Sequence, residues 1–266
     1  MIINNYHTHS NLCDGLGEIE DYVLSAIKLG CSEIGFSGHS HAPWDKTCLG
    51  MDKEKLEKYK EQIELVRQKY RDIKIYRGIE LDYYSEIDTK DFDYIIGAVH
   101  YVKKGEEYIP VDYKVDILIE CVNKYYKGDF NEFVADYYNL LGTLYNKTKC
   151  GIIAHIDLIT KLNKNERLFS QSGAIYQKTV INCLEKLDNA PVLYEVNTGG
   201  MARGYTTSFY PQDFILDYLG KKGKTFILSS DCHNSDMLLY KLKESKEVLD
   251  NKGYKVAKDI SSVLKR

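Results

Sequence analysis

Seven short runs rich in Ile, Val, Phe and Tyr recur along the chain, each followed by a longer stretch of helical character. That alternation restricts the possible folds more than any other feature. The runs are Ile2–His7, Glu33–Ser37, Lys74–Ile79, Tyr94–Val99, Gly151–Ala154, Val192–Val196 and Thr225–Ser229, each about the length of a typical strand. Between the first two, Glu18–Leu29 places Ile19, Val23, Ala26 and Ile27 on one face at a 3.6-residue period. Lys53–Tyr70 carries Leu56, Ile63 and Val66 among many Lys and Glu residues, and Val115–Tyr126, Asn131–Tyr145, Gly173–Leu187, Pro211–Leu219 and Met237–Asn251 read as further helices. Gly30 and Gly220 follow Leu29 and Leu219, where left-handed C-terminal caps are expected. Seven such units predict an α/β fold with a parallel sheet covered by helices. Closure into a TIM-barrel-like barrel is favoured over an open sheet, although periodicity alone does not separate the two.

The chain has 266 residues, 44% of them hydrophobic, enough for one large core without a split, and no linker or repeat interrupts it. The formal charge of −3 gives no basic footprint for nucleic acid. Neither a signal peptide nor an apolar run of membrane-spanning length is visible, so a cytoplasmic globular protein is expected. The seven cysteines, Cys13, Cys31, Cys48, Cys121, Cys150, Cys183 and Cys232, contain no C-x-x-C pair, which predicts reduced, mostly buried thiols rather than disulfides or a zinc ribbon. Tyrosine is abundant at 23 residues, and Tyr125, Tyr126, Tyr137 and Tyr138 lie in helical stretches, where packing is the expected role.

Histidine placement carries the chemistry. His7 and His9 follow the first run as H-x-H, His39 and His41 the second, and His100, His155 and His233 the fourth, fifth and seventh, while the third run ends in Glu80. In a parallel barrel the C-terminal strand ends converge on one face, where active sites sit. A spacing of two residues puts His7 and His9 on the same side of a strand, and Asp231 and His233 likewise. A lone strand-end histidine is usually a satisfied polar residue; seven in register point to metal. Imidazole with carboxylate suits zinc, manganese or iron over magnesium or calcium.

With H-T-H at 7–9, Asp14, His39, Glu80, His100, His155 and D-C-H at 231–233, the chain resembles the polymerase-and-histidinol-phosphatase (PHP) family across essentially its whole length, 1–266. The segments Gly35–His39, Gly78–Glu80, His155–Leu158 and Glu195–Thr198 look most like its histidinol-phosphatase branch. The resemblance implies a single-domain, distorted (β/α)7 barrel with two or three divalent ions. His7, His9, Glu80 and Asp231 would hold the first ion, Glu80, His100 and His155 the second, and Asp14, His39 and His233 a third. Two positions depart from the family pattern. Asp14 stands where some relatives carry histidine, and Gly38 where many carry an acidic residue, which is expected to loosen the support behind His39.

The activity implied is hydrolysis of a phosphate monoester, L-histidinol phosphate in histidine biosynthesis. The alternatives are another small ester such as phosphotyrosine or a nucleotide, or a metal-binding regulatory protein without catalysis. Asp231 and His41 are the catalytic candidates, with His41 as proton donor or substrate contact. Lys161 and Arg203 follow the fifth and sixth runs and are expected to bind phosphate, with Glu195 and Asn197 as substrate or supporting contacts. Trp44, the only tryptophan, sits in the loop after the second run, where it packs or walls the pocket.

Overall fold

The structure is a computed structural model that describes residues 3–45 and 49–265; Ile2 and Cys48 lie outside them. In chain order the strands are β1 (Glu33–Phe36), β2 (Lys74–Asp82), β3 (Tyr94–Ala98), β4 (Tyr101–Lys104), β5 (Glu107–Pro110), β6 (Ile152–Ile153), β7 (Leu193–Asn197), β8 (Thr225–Ser229) and β9 (Lys255–Val256). Seven of them pair in parallel in the order β1-β2-β3-β6-β7-β8-β9, while β4 and β5 form a separate antiparallel hairpin. Neither that hairpin nor β9 was expected.

The first run is not a ladder strand. Its pairing is divided between two neighbours, through single bridges from Asn5 to Ile34 and from Thr8 to Cys232. Backbone hydrogen bonds accompany both, from Gly35 N to Asn5 O at 2.9 Å and from His9 N to Cys232 O at 2.8 Å. The N-terminal segment thereby joins β1 to the chain just after β8. Together with β1, β2, β3, β6, β7 and β8 it makes a seven-membered distorted barrel, as the seven units predict.

Alternation of side chains along the strands sorts two cores. Tyr94, Ile96 and Ala98 of β3, Ile152, Leu193 and Ile227 form an inner cluster with Tyr6 and Ile260. Ile79, Ile95, Ile153, Val196 and Leu228 face the helices in a larger outer cluster. The helices follow the apolar period closely: Ile19–Lys28, Lys53–Lys69, Val115–Tyr126, Ala174–Lys186 and Asp213–Lys221. Asn131–Tyr145 instead divides at Gly142-Thr143 into Phe130–Leu141 and Leu144–Thr148, and Met237–Asn251 reduces to Leu242–Asn251 after a left-handed Lys241. Gly30 adopts φ +76° and caps its helix as expected, but Gly220 is helical, and the left-handed residue there is Gly223 at φ +72°.

The six described cysteines are free thiols, four of them buried. The helical tyrosines pack and tie elements together: Tyr137 donates to Ile156 O at 3.0 Å, and Tyr138 meets the Tyr176 hydroxyl at 2.8 Å. Among the described residues no helix is long and apolar enough to cross a membrane.

Candidate metal centre

Strand register brings the expected residues together. A parallel bridge sets His39 beside Glu80, and the Thr8–Cys232 bridge sets His7 and His9 beside Asp231 and His233. His7 and His9 lie on the same side, with ring centroids 5.1 Å apart, and His9 stacks on His233 at 4.1 Å. Glu80, at the C-terminal part of β2, is buried at the middle of the cluster.

The donor atoms form overlapping groups. His7 Nε2 lies 3.3 Å from Glu80 Oε2 and 3.6 Å from Asp231 Oδ1, and His9 Nε2 lies 3.5 and 3.2 Å from the same two oxygens. A tetrahedral ion with bonds of about 2.0–2.2 Å requires donors roughly 3.3–3.6 Å apart. On its other side, Glu80 Oε1 is 3.0 Å from His155 Nε2 and 3.3 Å from His100 Nε2. Asp14 Oδ2 is 3.0 Å from His233 Nε2 and 3.6 Å from His39 Nε2. Two residues are shared more widely than expected. His9 also belongs with Asp14, His39 and His233, and His39 Nδ1 approaches Glu80 Oε2 at 2.9 Å.

These residues fit bound cations. His7 Nε2, His9 Nε2, Asp14 Oδ1 and Glu80 Oε2 are all buried without a hydrogen-bond partner, which a folded protein rarely tolerates unless another species satisfies them. Their ionisation points the same way. Burial alone pulls His7 down, but Glu195, Glu80 and Asp231 outweigh it and raise the imidazole to about 10. His100 is raised to about 9 against burial by Glu80 and Asp82. Burial pushes the Glu80 carboxyl up, yet His39, His7 and His100 hold it well below the usual carboxylate range. The pocket is built around carboxylates that demand positive charge.

Further groups orient the ligands, as buried metal sites require. Glu195 Oε1 holds His7 Nδ1 at 2.6 Å, and Oε2 accepts from His155 N at 2.8 Å and from Asn197 Nδ2 at 2.9 Å. Glu195 and Asn197 are both buried and are not among the residues that line the cleft. Asp82 holds His100 through Nδ1 at 3.4 Å and the backbone N at 3.1 Å. It went unassigned in the sequence, although its spacing of two from Glu80 on one strand is the signal that places it. Behind His39, the space where a Gly38 side chain would project is taken by Cys13 and Met51, each 3.1 Å from the position of a Cβ.

The cluster opens into a cleft of about 900 Å³. Arg203 lines it, with Nη2 donating to Asp231 Oδ2 at 2.9 Å and Nη1 lying 3.0 Å from His233 Nε2. Lys161 lines it too, but its ammonium is held by Asp112 at 2.8 Å and lies 4.5 Å over the Tyr205 ring. Asp112 follows the unexpected hairpin and was not anticipated. His41 is not among the residues that line the cleft, although Ser40 and Ala42 on either side of it are, and its carbonyl accepts from Ser85 Oγ at 2.8 Å. Trp44 does line it, stacked on Tyr108 at 4.6 Å.

A parallel barrel whose strand ends converge on a buried, multi-ion donor set defines a metal-centred α/β-barrel enzyme. Comparison with known families matches residues 5–199 to the PHP domain, and the chain belongs to that family. Asp231 and His233 lie beyond the matched span and reach the site through β8. The chain is similar to the histidinol-phosphatase of Bacillus subtilis, 26% identical over 86% of this chain and 92% of that protein. It is also similar to the histidinol-phosphatase of Lactococcus lactis, at 25% identity over 86% and 83%. A solved histidinol phosphate phosphatase from Lactococcus lactis, complexed with zinc, L-histidinol and phosphate, superposes with a TM-score of 0.74 at 18% identity, covering 99% of both chains. That likeness shows the shared fold.

Proposed function

We propose that this chain is a metal-dependent phosphomonoesterase that hydrolyses L-histidinol phosphate to L-histidinol and phosphate in histidine biosynthesis. One observation carries the hydrolase reading: nine donor residues, His7, His9, Asp14, His39, Glu80, His100, His155, Asp231 and His233, form overlapping groups beside a cleft that also carries Arg203, with five of the imidazoles around Glu80. The substrate is supported by the names of the relatives that match nearly end to end. Residues 1–266 act as one domain in this reading, because β7, β8 and β9 continue the sheet through and past the family match. A cytoplasmic location accompanies the biosynthetic role.

His7, His9, Glu80 and Asp231 would hold one ion, Glu80, His100 and His155 a second, and Asp14, His39 and His233 a third, zinc, manganese or iron. Bound ions supply positive charge to phosphate oxygens and lower the pKa of water. The protein's own part is orientation and charge. Glu195 and Asp82 fix the imidazole rings, Asp231 sits between the ligands and Arg203, and Arg203 presents its guanidinium beside the donor cluster for a phosphate oxygen.

Arg203→Ala and Lys161→Ala are each expected to keep the metals and lower kcat/KM by roughly 10- to 100-fold, the worth of a charge-assisted hydrogen bond. Elemental analysis beside steady-state kinetics checks both. Wild-type behaviour in the two variants would remove the phosphate-binding assignment.

The substrate is tested with L-histidinol phosphate, phosphotyrosine, nucleoside monophosphates and short oligonucleotides at one pH and one reconstituted metal. L-Histidinol phosphate is expected to show the highest kcat/KM, because ions alone discriminate poorly among esters. Equal efficiency throughout, or a preference for phosphotyrosine, overturns the histidine-pathway substrate. Absence of turnover with every ester overturns the enzyme.

A further inference from the structure

Two segments leave neighbouring strand ends and meet again above them. The chain after β6 carries His155, Asp157 and Lys161, and the chain after β7 makes an excursion, residues 197–212, that carries Arg203 and Tyr205. The excursion is closed at its base by an antiparallel bridge, with Asn197 N donating to Tyr210 O at 2.8 Å and Tyr210 N to Asn197 O at 2.9 Å. Inside it, the Tyr210 ring lies against the helical turn Gly199–Ala202 that leads into Arg203. A Cβ on Gly200 would stand 2.8 Å from Tyr210 Cε2, and Arg203 N and Nε both donate to Gly199 O, at 3.1 and 3.3 Å. The far rim touches the β6 segment too, where Lys161 Nζ lies 4.5 Å over the Tyr205 ring. Asp157 stands at the base, two residues beyond His155. It is buried, is not among the residues that line the cleft, and belongs to none of the metal-donor groups. Its Oδ2 accepts from Gln212 N at 2.9 Å, where the excursion ends and helix Asp213–Lys221 begins. Its Oδ1 and the Tyr210 hydroxyl are both buried without a hydrogen-bond partner. Burial first and the Asp157 carboxylate second push that hydroxyl up, which makes the two groups neighbours. A buried carboxylate is costly unless its bonds are used, so its placement under this loop calls for a role.

We propose that Asp157 is a positioning residue for Arg203: by holding Gln212 N beside Tyr210, it seats the 197–212 excursion against the strand end that carries His155 and sets the guanidinium in register with the metal ligands. The inference rests on the reading of Arg203 as a phosphate contact. The seat is itself fixed, because His155 N is tied to Glu195 at 2.8 Å and Leu158 N returns to His155 O at 2.9 Å. Without Asp157 the bridge at Asn197 remains, but the base of the excursion is held on one side only. A displacement of about 1 Å in a positioning group costs up to about 100-fold in rate.

Asp157→Ala is expected to keep its metals, to lower kcat/KM by about 10-fold and to raise the inhibition constant of inorganic phosphate by a similar factor. Asp157→Asn keeps an acceptor for Gln212 N in the same volume and should stay within about threefold of wild type. A double-mutant cycle separates positioning from general damage: on an Arg203→Ala background, Asp157→Ala should cost less than about twofold more. Gln212→Pro removes the same hydrogen bond from the donor side, at a φ of −62° that proline accepts. It should match Asp157→Ala while Gln212→Ala does not, and it serves in its place if Asp157→Ala fails to fold. With Arg203→Ala itself impaired, an undiminished further loss overturns the assignment, as does loss of metal from Asp157→Ala. Hydrogen exchange reads the seat without any ester. The amides of residues 201–206, bonded within the excursion, should exchange about 10-fold faster in Asp157→Ala. Unchanged exchange overturns the seat. Faster exchange beside an Arg203→Ala enzyme as active as wild type leaves the seat standing and sinks the phosphate contact.

Discussion

Glu80→Ala is expected to lower kcat by about a thousandfold or more and to remove ions from the purified protein. No other side chain faces so many donors. One carboxylate oxygen lies 3.0 and 3.3 Å from His155 and His100, and the other lies 2.9, 3.3 and 3.5 Å from His39, His7 and His9. Without it, the Nε2 side of the cluster keeps only Asp14 and Asp231 as carboxylates, while Glu195 and Asp82 face His7 and His100 through Nδ1. Two ions would lose a common ligand at once, and with it the short separation that two-metal catalysis needs. Glu80→Gln is the informative companion. It preserves volume and one acceptor oxygen, but its amide nitrogen cannot ligate and it brings no charge. It is therefore expected to fold like the wild type while losing nearly as much activity. Elemental analysis and saturating-substrate kinetics on the two variants decide the matter. Full metal content with kcat within about tenfold of wild type would show that Glu80 is not the shared ligand.

Much of this centre was legible because two generic rules bear on it. Parallel strands put their C-terminal ends on one face, and a spacing of two puts side chains on one side. These suffice for His7 with His9, for Asp231 with His233, and for gathering Glu80, His100 and His155. Burial depth is not local, and there the sequence was silent. Glu195 and Asn197 occupy a strand end like the ligands, yet they lie under the cluster and act through His7 and His155. The hairpin had a signal of its own, with alternating residues on either side of Gly105, which adopts φ +61°. Its consequence, the closure of Tyr108 on Trp44, is a contact across more than sixty residues that no periodicity encodes. Lys161 shows the same limit. Its position after β6 brought it to the cleft, but only the fold reveals that Asp112 already holds its charge.

Removing the ions with a strong chelator is expected to abolish activity, to lower the melting temperature by about 10 °C, and to make stability sensitive to pH. A tightly held ion at a thousandfold excess over its dissociation constant contributes about 4 kcal/mol, which for a domain of this size is several degrees or more. In the stripped protein, protons on the histidines join Arg203 as the sources of positive charge beside these carboxylates. His7 is raised to about 10 and His100 to about 9 against an ordinary value of 6.5. A raised histidine contributes stability that is fully present below its unfolded value and is lost as pH rises through its folded value. The stripped protein should therefore lose stability between about pH 6.5 and 10. Asp14, Glu80 and Asp231, held well below the carboxylate range, give the opposite loss toward acid. The loaded protein should not share the alkaline loss, because ions replace those protons and binding releases them. The melting-temperature gap between loaded and stripped forms should widen from pH 6.5 to pH 9. Calorimetric titration of metal in buffers of different ionisation enthalpy should show net proton release. A gap that is constant with pH, or metal binding without proton release, would mean that the ions do not sit among these histidines.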